Sequence, residues 1–117
     1  NGADDNASGT AAVLEMLLQS YHAELRFLPA LPACWPNGHV TGLRARGGYT
    51  VDLTWRRKRL VQAMIMPSRS GSCTVRTGAS SLLVTTSIGR KIKSKWDDGK
   101  LSFPVRAGQK VLIVPLT

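Results

Sequence analysis

The chain has 117 residues, 43% of them apolar: enough for one compact domain with a buried core, and too apolar for a disordered segment. No apolar run approaches the ~20 residues of a membrane helix, and the opening NGADDNASG is acidic and polar, unlike a signal peptide, so no membrane partner is expected. Lys and Arg number 16 against 7 Asp and Glu, a formal charge of +9 that admits polyanionic partners.

The first segment reads as helix. Ser8 or Thr10 can cap its N-terminus, Asp4 and Asp5 suit the positive end of its dipole, and Ala11, Leu14, Leu17, Leu18 and Tyr21 recur at helical spacing. Val13 and Met16 widen the stripe, so the helix asks for a large surface to pack on. Pro29, Pro32 and Pro36 in LPALPACWPNG then exclude helix and make a stiff, extended connector. The expected organisation is a helix over 1–22, a Pro-rich connector over 23–39 and a β domain over 40–117.

From residue 40 the pattern is strand, near 40–46, 49–56, 59–66, 72–77, 81–86, 90–96, 100–105 and 109–115. Val51, Leu53 and Trp55 face one way while Asp52 and Thr54 face the other, the period of a half-buried strand. Gly47-Gly48 and Asp98-Gly99 signal hairpin turns. WRRKRL at 55–60 and WDDGKL at 96–101 share a Trp, a four-residue tip ending in a base, and a Leu, a repeated hairpin solution rather than a duplication. Short strands at this spacing predict a mostly β fold: an antiparallel β-sandwich or jelly-roll-like module preceded by one N-terminal α-helix.

Cations concentrate at Arg56, Arg57, Lys58 and Arg59, and again at Arg90, Lys91, Lys93 and Lys95. Solvated strand ends that discourage edge-to-edge pairing explain such runs most simply, with a polyanion site as the sharper alternative. Cys34 and Cys73 match no metal or redox spacing, and both a single disulfide and two free thiols stay open. His22 and His39 lack the spacing of metal ligands, no Gly-rich loop has phosphate-binding context, and no Ser sits in a nucleophile elbow. No cofactor or metal is therefore expected. Trp35 could stack on a sugar face, though beside prolines it more readily seals a seam between domains. DDNASGTAAVLEMLLQS holds acids and an amide at a helix mouth, where a glycosidase carboxylate can polarise water. An N-cap with favourable dipole contacts is the simpler account of the same residues.

These motifs resemble the end of glycoside hydrolase family 95, known for α-L-fucosidases, with some members acting on related L-sugars such as α-L-galactosides. DDNASGTAAVLEMLLQS is similar to the family form DGNFGGTAGIAEMLLQS, and LRFLPALPACWPNGHVTGLRARGGY to LLPALPxxWPxGxVxGLRARGGF. The resemblance covers the first half of the chain in detail and the second half in general pattern. It implies that the helix closes an (α/α)6 catalytic barrel, that the proline-rich segment leaves it, and that a β domain packs against the barrel with Trp35 at the seam. Members are inverting enzymes in which a glutamic acid protonates the leaving group and asparagines activated by an aspartate position the attacking water. By position Asp4 corresponds to that aspartate and Asn6 to the asparagine beside it. The remaining machinery is implied to lie upstream, in a catalytic domain of the same parent chain acting on fucosylated glycans. This sequence departs from the family form where Asp5 stands for Gly, where Ala7 and Ser8 stand for Phe and Gly, and where WRRKR stands for a W-x-D-G-K hairpin. The implied function is the C-terminal portion of an exo-α-L-fucosidase, inactive alone because the general acid is missing. The alternatives are a carbohydrate- or polyanion-binding sandwich and a purely structural module.

Overall fold

The computed structural model describes residues 18–21, 24–28, 33–76, 81–97 and 99–116. Its strands are β1 (Leu18–Tyr21), β2 (Glu24–Phe27), β3 (Gly38–Ala45), β4 (Tyr49–Arg56), β5 (Arg59–Pro67), β6 (Gly71–Arg76), β7 (Leu82–Thr86), β8 (Lys95–Asp97), β9 (Lys100–Val105) and β10 (Val111–Pro115). They form two five-stranded sheets, ordered β1-β2-β6-β9-β8 (sheet 1) and β3-β4-β5-β10-β7 (sheet 2).

Period-two alternation builds the core between them. Sheet 2 turns in Val51, Leu53 and Trp55 from β4, Ala63 and Ile65 from β5, Val84 from β7, and Val111 and Ile113 from β10; sheet 1 answers with Leu25, Phe27, Cys73, Val75, Leu101, Phe103 and Val105. All belong to one buried cluster. Val51, Ile65, Val75, Val111 and Ile113 are 0% exposed, and each such side chain is worth about 1.5–3 kcal/mol of burial. The mostly β expectation therefore holds, and the bounds of β4 and β9 coincide with the runs read at 49–56 and 100–105.

Four expectations need correcting. Leu18–Tyr21, read as the last turn of a helix, is strand, paired with β2 from Leu18↔Phe27 to Tyr21↔Glu24. The described residues contain no helix, and the rest of the expected one lies outside them. Leu18 enters the same core as Leu25 and Phe27, and the β2 edge offers its backbone partners, a tertiary opportunity that helical spacing does not reveal. Glu24–Phe27, within the stretch read as connector, is likewise a strand of sheet 1.

Sheet 1 is also mixed rather than antiparallel, because β2 runs parallel to β6. No crossover helix is needed, since β3, β4 and β5 lie between them in sequence and belong to the other sheet. Finally, the run at 90–96 is not one strand. Lys91 bridges Thr85 and Ile92 N donates to Val84 O at 2.9 Å along the edge of sheet 2, after which β8 joins sheet 1. The chain changes sheets here, and the run is split between them.

Candidate functional site

The WPNG stretch is a clamp on the β4–β5 hairpin. Trp55 Nε1 donates to the Trp35 carbonyl at 3.1 Å, Lys58 N donates to the Pro36 carbonyl at 2.7 Å, and Arg57 N donates to Asn37 Oδ1 at 3.0 Å. Three consecutive residues thus satisfy an indole and two tip amides. Gly38 pairs with Trp55 across β3 and β4, and a Cβ there would lie 2.5 Å from Trp55 Cζ2. The absence of a side chain at 38 is what lets the indole lie flat. Trp35 is half-buried and packs against the core, with its carbonyl committed to Trp55.

The hairpin that carries WRRKR has Arg57 at φ 53° and Lys58 at φ 62°, a two-residue left-handed turn of the type that favours Asn-Gly. Arg56 pairs with Arg59 at its base. The second cationic run lies elsewhere. Arg90 and Lys91 follow β7, whose Thr86 shares a row with Val111 and Ile65, six positions along β5 from Arg59. At ~3.3 Å per residue Arg90 and Lys91 are about 20 Å from Arg59 along the strands, at the opposite end of sheet 2, while Lys95 belongs to β8 of sheet 1. The two runs do not form one face.

On the outer face of sheet 1, Glu24 of β2 sits between two cations from neighbouring strands. Lys100 Nζ lies 2.5 Å from Oε1, and Arg76 Nε lies 3.5 Å from Oε2. The hydrogen bond from Lys100, reinforced by both positive charges, holds the Glu24 carboxyl below the ordinary glutamate range. Arg76 Nε is buried, and Glu24 answers its charge at salt-bridge distance. Beside this cluster Thr74 and Ser102 share a hydroxyl hydrogen bond at 3.0 Å. Composition alone could not have found this triad. Its partners meet only because β2 inserts parallel to β6.

Between the sheets, the Tyr49 hydroxyl lies close to the Cys73 thiol. Burial pushes the Cys73 thiol up to about 11 although the Tyr49 hydroxyl pulls the other way, and burial with the nearby thiol raises Tyr49 as well. Cys34 is exposed and Cys73 buried, both as free thiols. The disulfide left open by the sequence is not formed, because one sulfur faces the core and the other a surface turn.

A glycosidase needs two carboxyl groups about 5–9.5 Å apart, one of them with a raised pKa. Asp52 lies on the outer face of sheet 2, where its Oδ1 accepts from Gly42 N at 2.8 Å across the bulge between Val40 and Leu43. Glu24 faces outward from sheet 1, so at least ~10 Å of core separates their backbones and the side chains point apart. Asp97, on β8, is three strand spacings from β2, about 14 Å. Glu24, a described carboxyl held by two cations, is lowered rather than raised. Among the described residues no three His, Cys, Asp or Glu come together as a metal site. Asp4 and Asn6, the site residues implied by resemblance, lie outside the described residues.

The model of the family described as "Glycoside hydrolase family 95, C-terminal domain" matches residues 19–113, which is most of the chain. The chain belongs to this family. The family-95 domain is 57% identical over 60 residues to "Alpha-L-fucosidase 2" of Arabidopsis thaliana, a match covering 50% of this chain and 7% of that protein. It is 44% identical over 68 residues to "Probable alpha-fucosidase A" of Aspergillus oryzae, covering 50% of this chain and 9% of that protein. The matched segments thus span less than a tenth of either curated relative. A solved family 39 glycoside hydrolase from Bacteroides cellulosilyticus WH2 aligns over 70% of this chain and 17% of its own, at 16% identity and TM-score 0.44.

Proposed function

We propose that this chain is the C-terminal β domain of an enzyme that hydrolyses terminal α-L-fucosyl linkages with inversion, and that the domain is a structural accessory with no hydrolase activity of its own. Identity of 57% to an α-L-fucosidase over half the chain supports the substrate class. The accessory role rests on one geometric observation: Asp52 projects from the sheet opposite Glu24 and Asp97, and Glu24, three strands from Asp97, is committed to Lys100 and Arg76. In this reading Asp4 activates the attacking water with Asn6 beside it, and the general acid comes from an upstream catalytic domain of the same parent chain. The clamp at 35–38 then fixes how the chain passes from β2 of sheet 1 to β3 of sheet 2.

The test is hydrolysis of an aryl α-L-fucoside by the 117-residue chain and by a longer chain carrying the same residues. The short chain is expected to be silent and the long one active, with Asp4→Asn removing most of that activity. Turnover by the short chain would overturn the accessory role. A long chain that cleaves another glycoside but not the fucoside would overturn the substrate assignment.

A further inference from the structure

At the end of the domain away from the WPNG clamp, several turns are tied to one another by hydrogen bonds. Ser68 N donates to Gly48 O at 2.7 Å, joining the β5–β6 turn to the β3–β4 turn. Gly108 N donates to Pro67 O at 2.7 Å, and Ala107 N to Ser70 Oγ at 3.1 Å, joining the β9–β10 turn to the β5–β6 turn. Ser87 N donates to Lys110 O at 3.2 Å, which adds the turn after β7, itself closed by Arg90 N on Thr86 Oγ1 at 3.2 Å. Along this rim Arg69, Arg90, Lys91, Arg106 and Lys110 are exposed. Residues 67–71, 86–91 and 105–111 contain no Asp or Glu, and none of the five cations makes an ion pair with a described residue.

Turns on neighbouring strands stand within roughly a Debye length of about 10 Å, so their fields add and their mutual repulsion is only partly screened. An anionic polymer laid along the rim would relieve that repulsion and release its own counterions. We propose that this rim binds an acidic polysaccharide, contacted by Arg69 and Arg106 at its centre and by Arg90, Lys91 and Lys110 beside them. The guanidinium fork matches carboxylate and sulfate groups bidentately. Tyr49, an aromatic residue next to the rim, is half-buried and packs against the core, unlike the open aromatic platform on which bases stack. Membership in a glycoside hydrolase family agrees with a glycan partner. The rim takes in Arg90 and Lys91 from one cationic run and leaves out Arg56–Arg59, which lie at the opposite end of sheet 2. This site is independent of the fucosidase reading, since it needs neither Asp4 nor an upstream domain.

The experiment measures binding of the 117-residue chain to polygalacturonate, heparin and duplex DNA across a salt series. Binding to both glycans is expected at about 50 mM salt, falling steeply by 200 mM. Arg69→Glu/Arg106→Glu should lower glycan affinity about tenfold or more, each reversal removing a contact cation. Arg56→Glu/Arg59→Glu makes the same change of formal charge, from +9 to +5, at the other end and should leave affinity within about threefold. Thermal melts confirm folding, and Arg69→Gln/Arg106→Gln supplies the same comparison without charge reversal. Equal losses in the two double variants would show an effect of net charge alone and overturn the site. Absence of glycan binding would overturn it too, and tighter binding to DNA than to either glycan would overturn the polysaccharide assignment.

Discussion

The β4–β5 hairpin gives the sharpest quantitative test. Arg57 and Lys58 both hold positive φ, at 53° and 62°. For a residue with a Cβ the left-handed region costs about 1–2 kcal/mol. Replacing the pair by Asn-Gly, the preferred two-residue turn, should recover about 1–2 kcal/mol across the two positions. Glycine returns about 0.5–1 kcal/mol of this as extra entropy of the unfolded chain. The net expectation is a gain of about 1 kcal/mol, or about 3–6 °C in Tm for a domain of this size. The WPNG clamp is untouched, because both tip contacts use backbone donors, Arg57 N to Asn37 and Lys58 N to Pro36. Removing two cations also relieves repulsion with Arg56 and Arg59, so thermal unfolding is compared at low salt and at about 1 M, where the Debye length is ~3 Å. A gain that survives high salt comes from the backbone. A Tm that is unchanged or lower in high salt would refute the claim that this turn is strained.

Gly38→Ala drives a Cβ to within 2.5 Å of the Trp55 indole, so it should cost about 1–3 kcal/mol by overpacking and change Trp fluorescence; an unchanged melt would show that the indole yields freely. In the native protein a thiol reagent should titrate one equivalent, at exposed Cys34, with buried Cys73 reacting only after unfolding; two fast equivalents would contradict the packing of Cys73. Because the Glu24 carboxyl is held below its unfolded value, its contribution is present above about pH 4.3 and is lost as pH falls through the lowered folded pKa. Glu24→Gln should therefore lower stability at neutral pH and flatten the acid limb of the Tm–pH curve; parallel curves for the two proteins would mean the carboxylate gains nothing from Lys100 and Arg76.

The strands were legible wherever a local period decided the outcome. Val51, Leu53 and Trp55 alternate against Thr50, Asp52 and Thr54, and the structure buries the first set while leaving the second partly open. What escaped the sequence depends on pairing between distant segments. Glu24 falls in the stretch read as connector; its cations come from β6 and β9, brought alongside by a parallel pair that no hairpin signal announces. Leu18 fits helical spacing as well as it fits the core, and the edge of β2 decides between them. The WPNG segment was legible as a stiff connector, but its role as a clamp requires the tip of β4–β5 to fold back beneath it. The basic rim was split in the sequence among separate turns, so only Arg90 and Lys91 stood out as a run.

The two Trp hairpins show how far a local pattern can carry a prediction. WRRKRL and WDDGKL fold with the same register: Trp55 faces Leu60 with Arg56 opposite Arg59, and Trp96 faces Leu101 with Asp97 opposite Lys100. Local chemistry therefore sets the turn and the pairing. Yet Trp55 is 5% exposed and Trp96 is 42% exposed. Trp55 lies on an inner strand, with β3 on one side, β5 on the other, and the Trp35 carbonyl capping its indole nitrogen. Trp96 lies on β8, a three-residue edge strand held by β9 alone. Burial, unlike register, belongs to the position in the sheet. A hairpin motif can thus forecast which residues face each other while leaving open which of them becomes core, and the residue that resolves the question for Trp55 is Gly38, whose missing side chain leaves room for the ring.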